Sequence, residues 1–371
     1  MIRCMADIHR QANTPTKASP RKPACAPPAN LDQVLLRAAG TGQEEIIAFL
    51  CNPDVWPNVP PKVELVETHM ALIFFAGDLV YKMKRAIQLK HLDLRLLETR
   101  QTFCRREFEL NRKLAPDVYL GTVHVTGEAD GRLAIDGPGV AIEPLVTMRR
   151  LDVSQGLDQR ILQRGVTPPE IDGLCDLLAV FYAGQPPAAI DAQEFITLWH
   201  EMVGRVRATL KDPQFGLDKH LVDPPLELLT NFLGRHSDIL RGLIEQDRII
   251  DGHGDLKPEH IIMGPRLLVI DRIEFDDRLR MTDPFSEMTF LGLECERLGA
   301  AWIGPQLITG LAKRLGGGRP QVLMQFYRCY TACLRARLSI EHLLDETPRT
   351  PERWPAQARD YLARAIPGDQ S

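Results

Sequence analysis

Alternating hydrophobic and polar positions dominate the first part of the chain, and helical periodicity dominates the rest. GQEEIIAFLC (42–51) has the spacing of a short amphipathic helix, and a Pro-rich link (53–61) follows. VELVE (63–67), ALIFFA (71–76) and LVYKMK (79–84) then read as strands, with a hairpin signal at Ala76-Gly77-Asp78 between the last two. Residues 96–114 predict a helix stopped by Ala115-Pro116. TVHVT (122–126) and GVAIEPLV (139–146) predict two more strands around a turn at Asp130-Gly131. Beyond about residue 150 the spacing predicts helices over 168–183, 192–210, 224–246, 284–298, 304–315 and 320–344, interrupted at 250–271 by a loop and short strands. The expectation is an α+β chain with a small β-rich lobe (42–146) ahead of a larger helical lobe (147–371). Residues 1–30, rich in Pro, Ala, Lys and Arg without periodicity, read as a disordered tail. No internal repeat is visible.

Composition narrows the partners. The 371 residues include 25% charged ones and carry a net charge of -4, an ordinary globular composition without the basic stripe of a nucleic-acid binder. No apolar run has the length to span a bilayer, and no secretory-type apolar core stands near the start, so no membrane partner is expected. The eight cysteines are scattered without a CxxC pair, which fits reduced thiols and a cytoplasmic location. Cys329 and Cys333, at i and i+4 on an expected helix, fit a packed core better than a metal site.

The chemistry concentrates in HGDLKPEHIIMGPRLLVIDRIEFD (253–276). A turn containing Gly254 and Pro258 presents Asp255, able to act as a base toward a hydroxyl, and Lys257, able to meet a phosphate. LLVID (267–271) reads as a buried strand ending in a carboxylate, a natural ligand for a hard cation such as Mg²⁺. On spacing alone, the segment equally fits a solvated turn followed by a strand-end Asp.

HGDLKPEH strongly resembles the catalytic loop of the protein-kinase-like superfamily. His253-Gly254-Asp255 matches the aminoglycoside phosphotransferase-like small-molecule kinases, which have HGD where protein kinases have HRD. VID (269–271), then TDPFSEM (282–288) opening a helix, resembles the second half of that branch's signature. The resemblance covers roughly residues 60–345. It implies a bilobal kinase-like fold that transfers the γ-phosphoryl group of ATP, with Mg²⁺ or Mn²⁺, to an alcohol group. By position it makes Asp255 the catalytic base, Lys257 a lysine near the γ-phosphate and Asp271 the metal-binding acid. His253 becomes a structural loop residue and Asp283 a helix-start brace for the loop. His260 stands where kinases keep an Asn for the second metal. Three readings stay open there. His260 keeps a hydrogen bond and leaves one metal to Asp271; Glu259 or Glu274 supplies the missing oxygen; or transfer is lost.

The same resemblance calls for a phosphate-binding Lys and a Glu to hold it. Leu-Val-Tyr-Lys (79–82) makes Lys82 the first candidate and Lys84, on the same strand face, the second. Glu107 interrupts the stripe Phe103, Leu110, Leu114 and so wants a partner; the expected ion pair is Lys82–Glu107. Arg106-Glu107 also resembles the RE pair of this helix. Ile142-Glu143-Pro144-Leu145 resembles the hinge by order, which puts Glu143 among the nucleotide-binding candidates. No G-x-G-x-x-G precedes Lys82.

Eleven residues, with Thr282 as their single hydroxyl, separate Asp271 from Asp283, and no APE-like motif follows. A small hydroxylated acceptor is therefore expected rather than a protein. Asp283, Glu287, Glu294 and Glu296 would suit a cationic acceptor if they face it, or are solvated helix acids. Two alternatives stay open: a nucleotide-binding pseudokinase, suggested by His260, and a protein kinase acting on a partner, suggested by Lys257-Pro258-Glu259. Some relatives carry a second, P-loop kinase domain; the sequence has no G-x-x-x-x-G-K-[ST], so it would act without one. Oligomeric state is left open.

Overall fold

A computed structural model of the chain describes residues 42–89, 92–344 and 350–366. The expected tail, 1–30, lies outside the described residues. These form two compact units: one of residues up to Gly156 together with Glu259–Phe275, the other of Leu157–Pro258 with residues from Asp276 onward.

The first unit opens with α1 (Gln43–Leu50) and then builds a sheet from β1 (Val63–Glu67), β2 (Ala71–Ala76) and β3 (Leu79–Lys84). Two short strands, β4 (Gln88–Leu89) and β5 (Leu92–Asp93), lead into α2 (Leu97–Asn111). β6 (Tyr119–Gly127), β7 (Leu133–Ile135) and β8 (Val140–Arg149) complete an antiparallel sheet of order β1-β2-β3-β8-β6-β7. Gly77, at φ +68, allows the tight turn that joins β2 to β3. Strand alternation then divides the sheet's two faces. Leu72, Phe74, Tyr81 and Met83 point to one face and pack with Ile46, Leu50 and Trp56. Ile73, Val80, Lys82 and Lys84 point to the other.

The second unit is helical. α3 (Leu157–Leu162), α4 (Pro168–Ala183), α5 (Ala192–Leu210), α6 (Lys219–Arg235) and α7 (Ser237–Glu245) precede β9 (Ile250–Asp251). The hairpin β10 (Ile261–Met263) and β11 (Leu267–Val269) belongs to the first unit. β12 (Met281–Thr282) pairs with β9, and α8 (Pro284–Arg297), α9 (Ile303–Arg314), α10 (Gln321–Glu341) and α11 (Arg353–Ala363) follow. Trp199, Phe232 and Phe326 centre the core, the last two stacked at 4.1 Å.

The single helix expected over 224–246 is two helices. α6 starts five residues earlier, at Lys219, capped by Asp218. It then runs through Pro224 and Pro225, so those prolines do not mark its start. His236, at φ −133, leaves helical geometry and separates α6 from α7.

Candidate active site

β3 carries the first part of the site. Lys82 and Lys84 lie two residues apart on one strand face, and both are buried. An ammonium out of water needs compensating charge, and Glu107 supplies it from the middle of α2, itself fully buried. Lys82 Nζ donates to Glu107 Oε1 at 2.7 Å and to Asp271 Oδ1 at 3.1 Å. Lys84 Nζ donates to Glu107 Oε2 and to Glu274. Burial works against charge on Lys82, yet Asp271, Glu107 and Glu274 together hold its pKa well above the ordinary lysine value. Burial likewise opposes ionisation of Glu107 and Asp271. For Glu107 the two lysines outweigh it and lower the pKa. For Asp271, Lys82 and then His260 do the same, well below the usual carboxylate range.

Asp271 follows β11 by two residues, and its backbone is left-handed, at φ +64. Few non-glycine residues accept that geometry, and Asp is among those that do. Two contacts hold the turn. The Asp271 N–H donates to the Tyr119 hydroxyl at 3.2 Å. Asn111 Oδ1 accepts from the Arg272 N–H at 2.7 Å, while Asn111 Nδ2 donates to the Glu107 carbonyl at 2.9 Å. Tyr119 and Asn111 were not among the sequence candidates. The only signal for Asn111 was its place one helical turn after Glu107.

Beside this network the first unit has a cleft. Ile73, Phe75, Val80, Met148, Leu151 and Ile270 make its apolar wall, and Lys82, His260 and Asp271 its charged end. The wall fits a flat apolar ring system and the charged end fits phosphates, so the donor set suits a nucleotide. His260 Nε2 lies 3.4 Å from Asp271 Oδ2. Among the described residues no group of three or more His, Cys, Asp or Glu side chains is arranged to hold a metal ion. A Mg²⁺ that draws most of its ligands from phosphates and water needs only one or two protein carboxylates, which Asp271 can provide. The imidazole of His260 is a poor ligand for so hard an ion.

Glu143 is placed elsewhere. It takes Arg100 through both oxygens, at 2.7 and 2.8 Å, and also accepts from Gln43. Burial nevertheless raises its pKa, against the pull of Arg100. The strand runs on to Arg149, so it is Met148 and Arg149, not Glu143, that line the cleft.

The HGD loop belongs to the second unit. His253 is fully buried, and its Nδ1 accepts from the Asp255 N–H at 3.3 Å. The Asp255 side chain is 31% exposed and lies 2.8 Å from Lys257 Nζ. Glu287, one turn into α8, anchors the loop: it accepts the Gly254 N–H at 2.6 Å and the Tyr182 hydroxyl at 2.7 Å. A Cβ at Gly252 would stand 2.4 Å from Thr282 and 2.8 Å from Glu287, so only glycine fits there. Asp283 instead caps α8 and takes Arg319 at 2.8 and 3.0 Å and Tyr327 at 3.1 Å. The sequence assigned the brace to Asp283; the loop contact is made by Glu287. Glu294 and Glu296 are also engaged, by Arg335 and Tyr361 and by Arg328 and Arg364.

No protein-family model matches the chain. Uncharacterised proteins of Mycobacterium tuberculosis and Mycobacterium bovis are 31% identical over 318 residues, which cover 82% of this chain. The chain spans 59% of the length of these curated relatives. Among solved structures, a choline/ethanolamine kinase family protein from Mesorhizobium loti is similar, at TM-score 0.51 and 14% identity over 88% of this chain and 96% of that one. A spectinomycin phosphotransferase solved with ADP and spectinomycin has TM-score 0.47 and 12% identity, over 82% of this chain and 92% of that one. Among the described residues no helix is long and apolar enough to cross a membrane. The antiparallel sheet unit and the helical unit agree with the Mesorhizobium likeness, and the chain shares the fold of that choline/ethanolamine kinase family protein.

Proposed function

We propose that the protein transfers the γ-phosphoryl group of ATP to a hydroxyl of a small molecule. One observation carries the reading: a buried Lys82–Glu107 pair whose lysine also reaches Asp271, at the charged end of an apolar cleft. Phosphoryl transfer asks little covalent chemistry of a protein. It asks for positioning and for cancellation of phosphate charge. In this reading the cleft wall takes the base, and Lys82 turns its ammonium toward the phosphates while Glu107 keeps it in place. Asp271 would hold a divalent cation, which when bound neutralises phosphate charge. His260, its Nε2 3.4 Å from Asp271 Oδ2, positions that carboxylate rather than joining the metal. Asp255 orients the acceptor hydroxyl and takes its proton, and Lys257, 2.8 Å from Asp255, meets the transferred group.

The acids of α8 support a neutral acceptor better than a cationic one, since Glu287, Glu294 and Glu296 each already hold an internal partner. The test is ATP turnover with Mg²⁺ and with Mn²⁺ across a panel of hydroxylated metabolites and aminoglycosides, comparing wild type with Asp255→Ala and Asp271→Ala. Acceptor-dependent turnover lost in both variants is the expected result. ATP binding without turnover under any condition would replace the reading with a nucleotide-binding pseudoenzyme, and phosphate found on a co-purified protein would replace it with a protein kinase.

A further inference from the structure

A phosphate-binding site of this design needs one lysine and one glutamate. This one holds a second set. Lys84 is as deeply buried as Lys82, and Glu107 is shared between them, one oxygen to each. Each lysine then reaches a different acid of the 271–274 segment, Lys82 to Asp271 and Lys84 to Glu274. The contacts form one line of alternating charge, Asp271–Lys82–Glu107–Lys84–Glu274. It contains two ammonium groups and three carboxylates, so one negative charge is left over. Glu274 already acts on Lys82 through space as well as on its own partner.

Removing Lys84 would change that balance at Lys82. Glu107 and Glu274 would lose their nearer cation, and three carboxylates would bear on a single ammonium. The line would carry two net negative charges beside the phosphate end of the cleft, a repulsion felt strongly where water is scarce. Removing Glu274 with Lys84 would return the leftover charge to one.

We propose that Lys84, paired with Glu274, is a positioning residue for nucleotide binding: it holds Glu107 from the far side and cancels Glu274, so that Lys82 stays available to phosphate. The proposal rests on the nucleotide reading above and goes beyond it, because the second pair is not needed to bind phosphate directly.

The test measures ADP affinity by calorimetry on the full chain, in wild type, Lys84→Met, Glu274→Gln and the double variant. Lys84→Met should weaken ADP binding by about tenfold or more, a modest effect for one uncompensated charge. Glu274→Gln should bind ADP at least as tightly as wild type, and the double variant should recover to within about threefold of wild type. Recovery separates the proposal from simple packing, because a packing role predicts that losing both partners is no better than losing Lys84 alone. A double variant as weak as Lys84→Met, or a Lys84→Met that binds like wild type, would overturn it. If Lys84→Met does not fold, Glu274→Gln decides: weakening of tenfold would overturn the proposal, and unchanged or tighter binding supports it. A wild type that binds no ADP overturns the nucleotide reading and this proposal together; binding by wild type without recovery in the double overturns this proposal alone.

Discussion

Two clusters, one in each unit, compensate their acids in different ways. In the first unit, beside the cleft, ammonium groups do it: Lys82 and Lys84 divide Glu107, Asp271 and Glu274 between them, while Glu143, away from the cleft, takes the Arg100 guanidinium. In the second, guanidinium and phenol groups do it. Asp283 is held by Arg319 and Tyr327, and Glu294 by Arg335, Arg297 and Tyr361, with the Arg297 guanidinium 3.9 Å from the Tyr361 ring centre. Guanidinium is planar, permanently charged and pre-set for two-pronged pairing, whereas an ammonium is a point charge on a flexible stem. The arginine clusters are fixed braces between helices. On the proposed reading, the lysine cluster can turn a cation to an arriving anion while its remaining members stay paired.

That contrast can be broken most directly by exchanging the two effects. Lys82→Met is expected to lower turnover by about 10³-fold or more, as loss of a group that neutralises transferring phosphate does. Arg319→Met should do the reverse. It leaves Asp283 buried without its cation, so unfolding stability should fall by about 3–5 kcal/mol while turnover per folded molecule is largely kept. Denaturant unfolding and turnover, measured on both variants, check the pair. An Arg319→Met protein of wild-type stability and no turnover would end the distinction.

Acid should next act on the two clusters with opposite sign. Burial opposes ionisation of Glu107, but Lys82 and Lys84 win and hold its folded pKa below the ordinary 4.5. Its contribution is complete above that value and is lost as pH falls through the folded one. Asp283 goes the other way: burial outweighs Arg319 and raises its folded pKa above 3.8, so the folded state takes up its proton first and gains as pH falls. In urea unfolding from pH 6 to pH 3, the stability advantage of wild type over Glu107→Gln should shrink with acid. Wild type should gain on Asp283→Asn over the same range. Two gaps moving in one direction would contradict the assignment.

The smallest effect belongs to the surface. Arg132 and Asp130 pair at an exposed turn, and exposed pairs contribute little. Arg132→Ala should leave the unfolding midpoint unchanged within error, which makes it the control for the charge removals above.

Much of the fold was legible because local patterns were strong. The runs 63–67, 71–76 and 79–84 are strands with the residues read from alternation, and 168–183 and 192–210 are helices as spaced. β7 is three residues long and too short for alternation to register, and α11 was not read at all. The site was legible where one residue broke a pattern. Glu107 announced its need for a cation by interrupting an apolar stripe, and Lys82 stood on the strand face able to answer it. The Lys84–Glu274 contact joins positions 190 residues apart and leaves no local trace. Nor could helical spacing tell that Glu294 and Glu296 of α8 meet arginines of α10 rather than solvent, since that depends on how the helices pack.

Gln43 ties α1 to the end of β3. Its amide nitrogen donates to the Lys84 carbonyl at 2.8 Å and to Glu143 at 3.3 Å, and its amide oxygen accepts from the Ala86 N–H at 2.7 Å. This first residue of α1 thus tethers the end of the strand that carries both lysines. How far the chain can be trimmed from its N-terminal side is then decided by one side chain rather than by the helix boundary. A version beginning at Gly42 keeps the tether, whereas one beginning at Glu44 keeps most of the helix and frees the end of β3. Proteolytic sensitivity near Ala86 would report the difference before any loss of the fold.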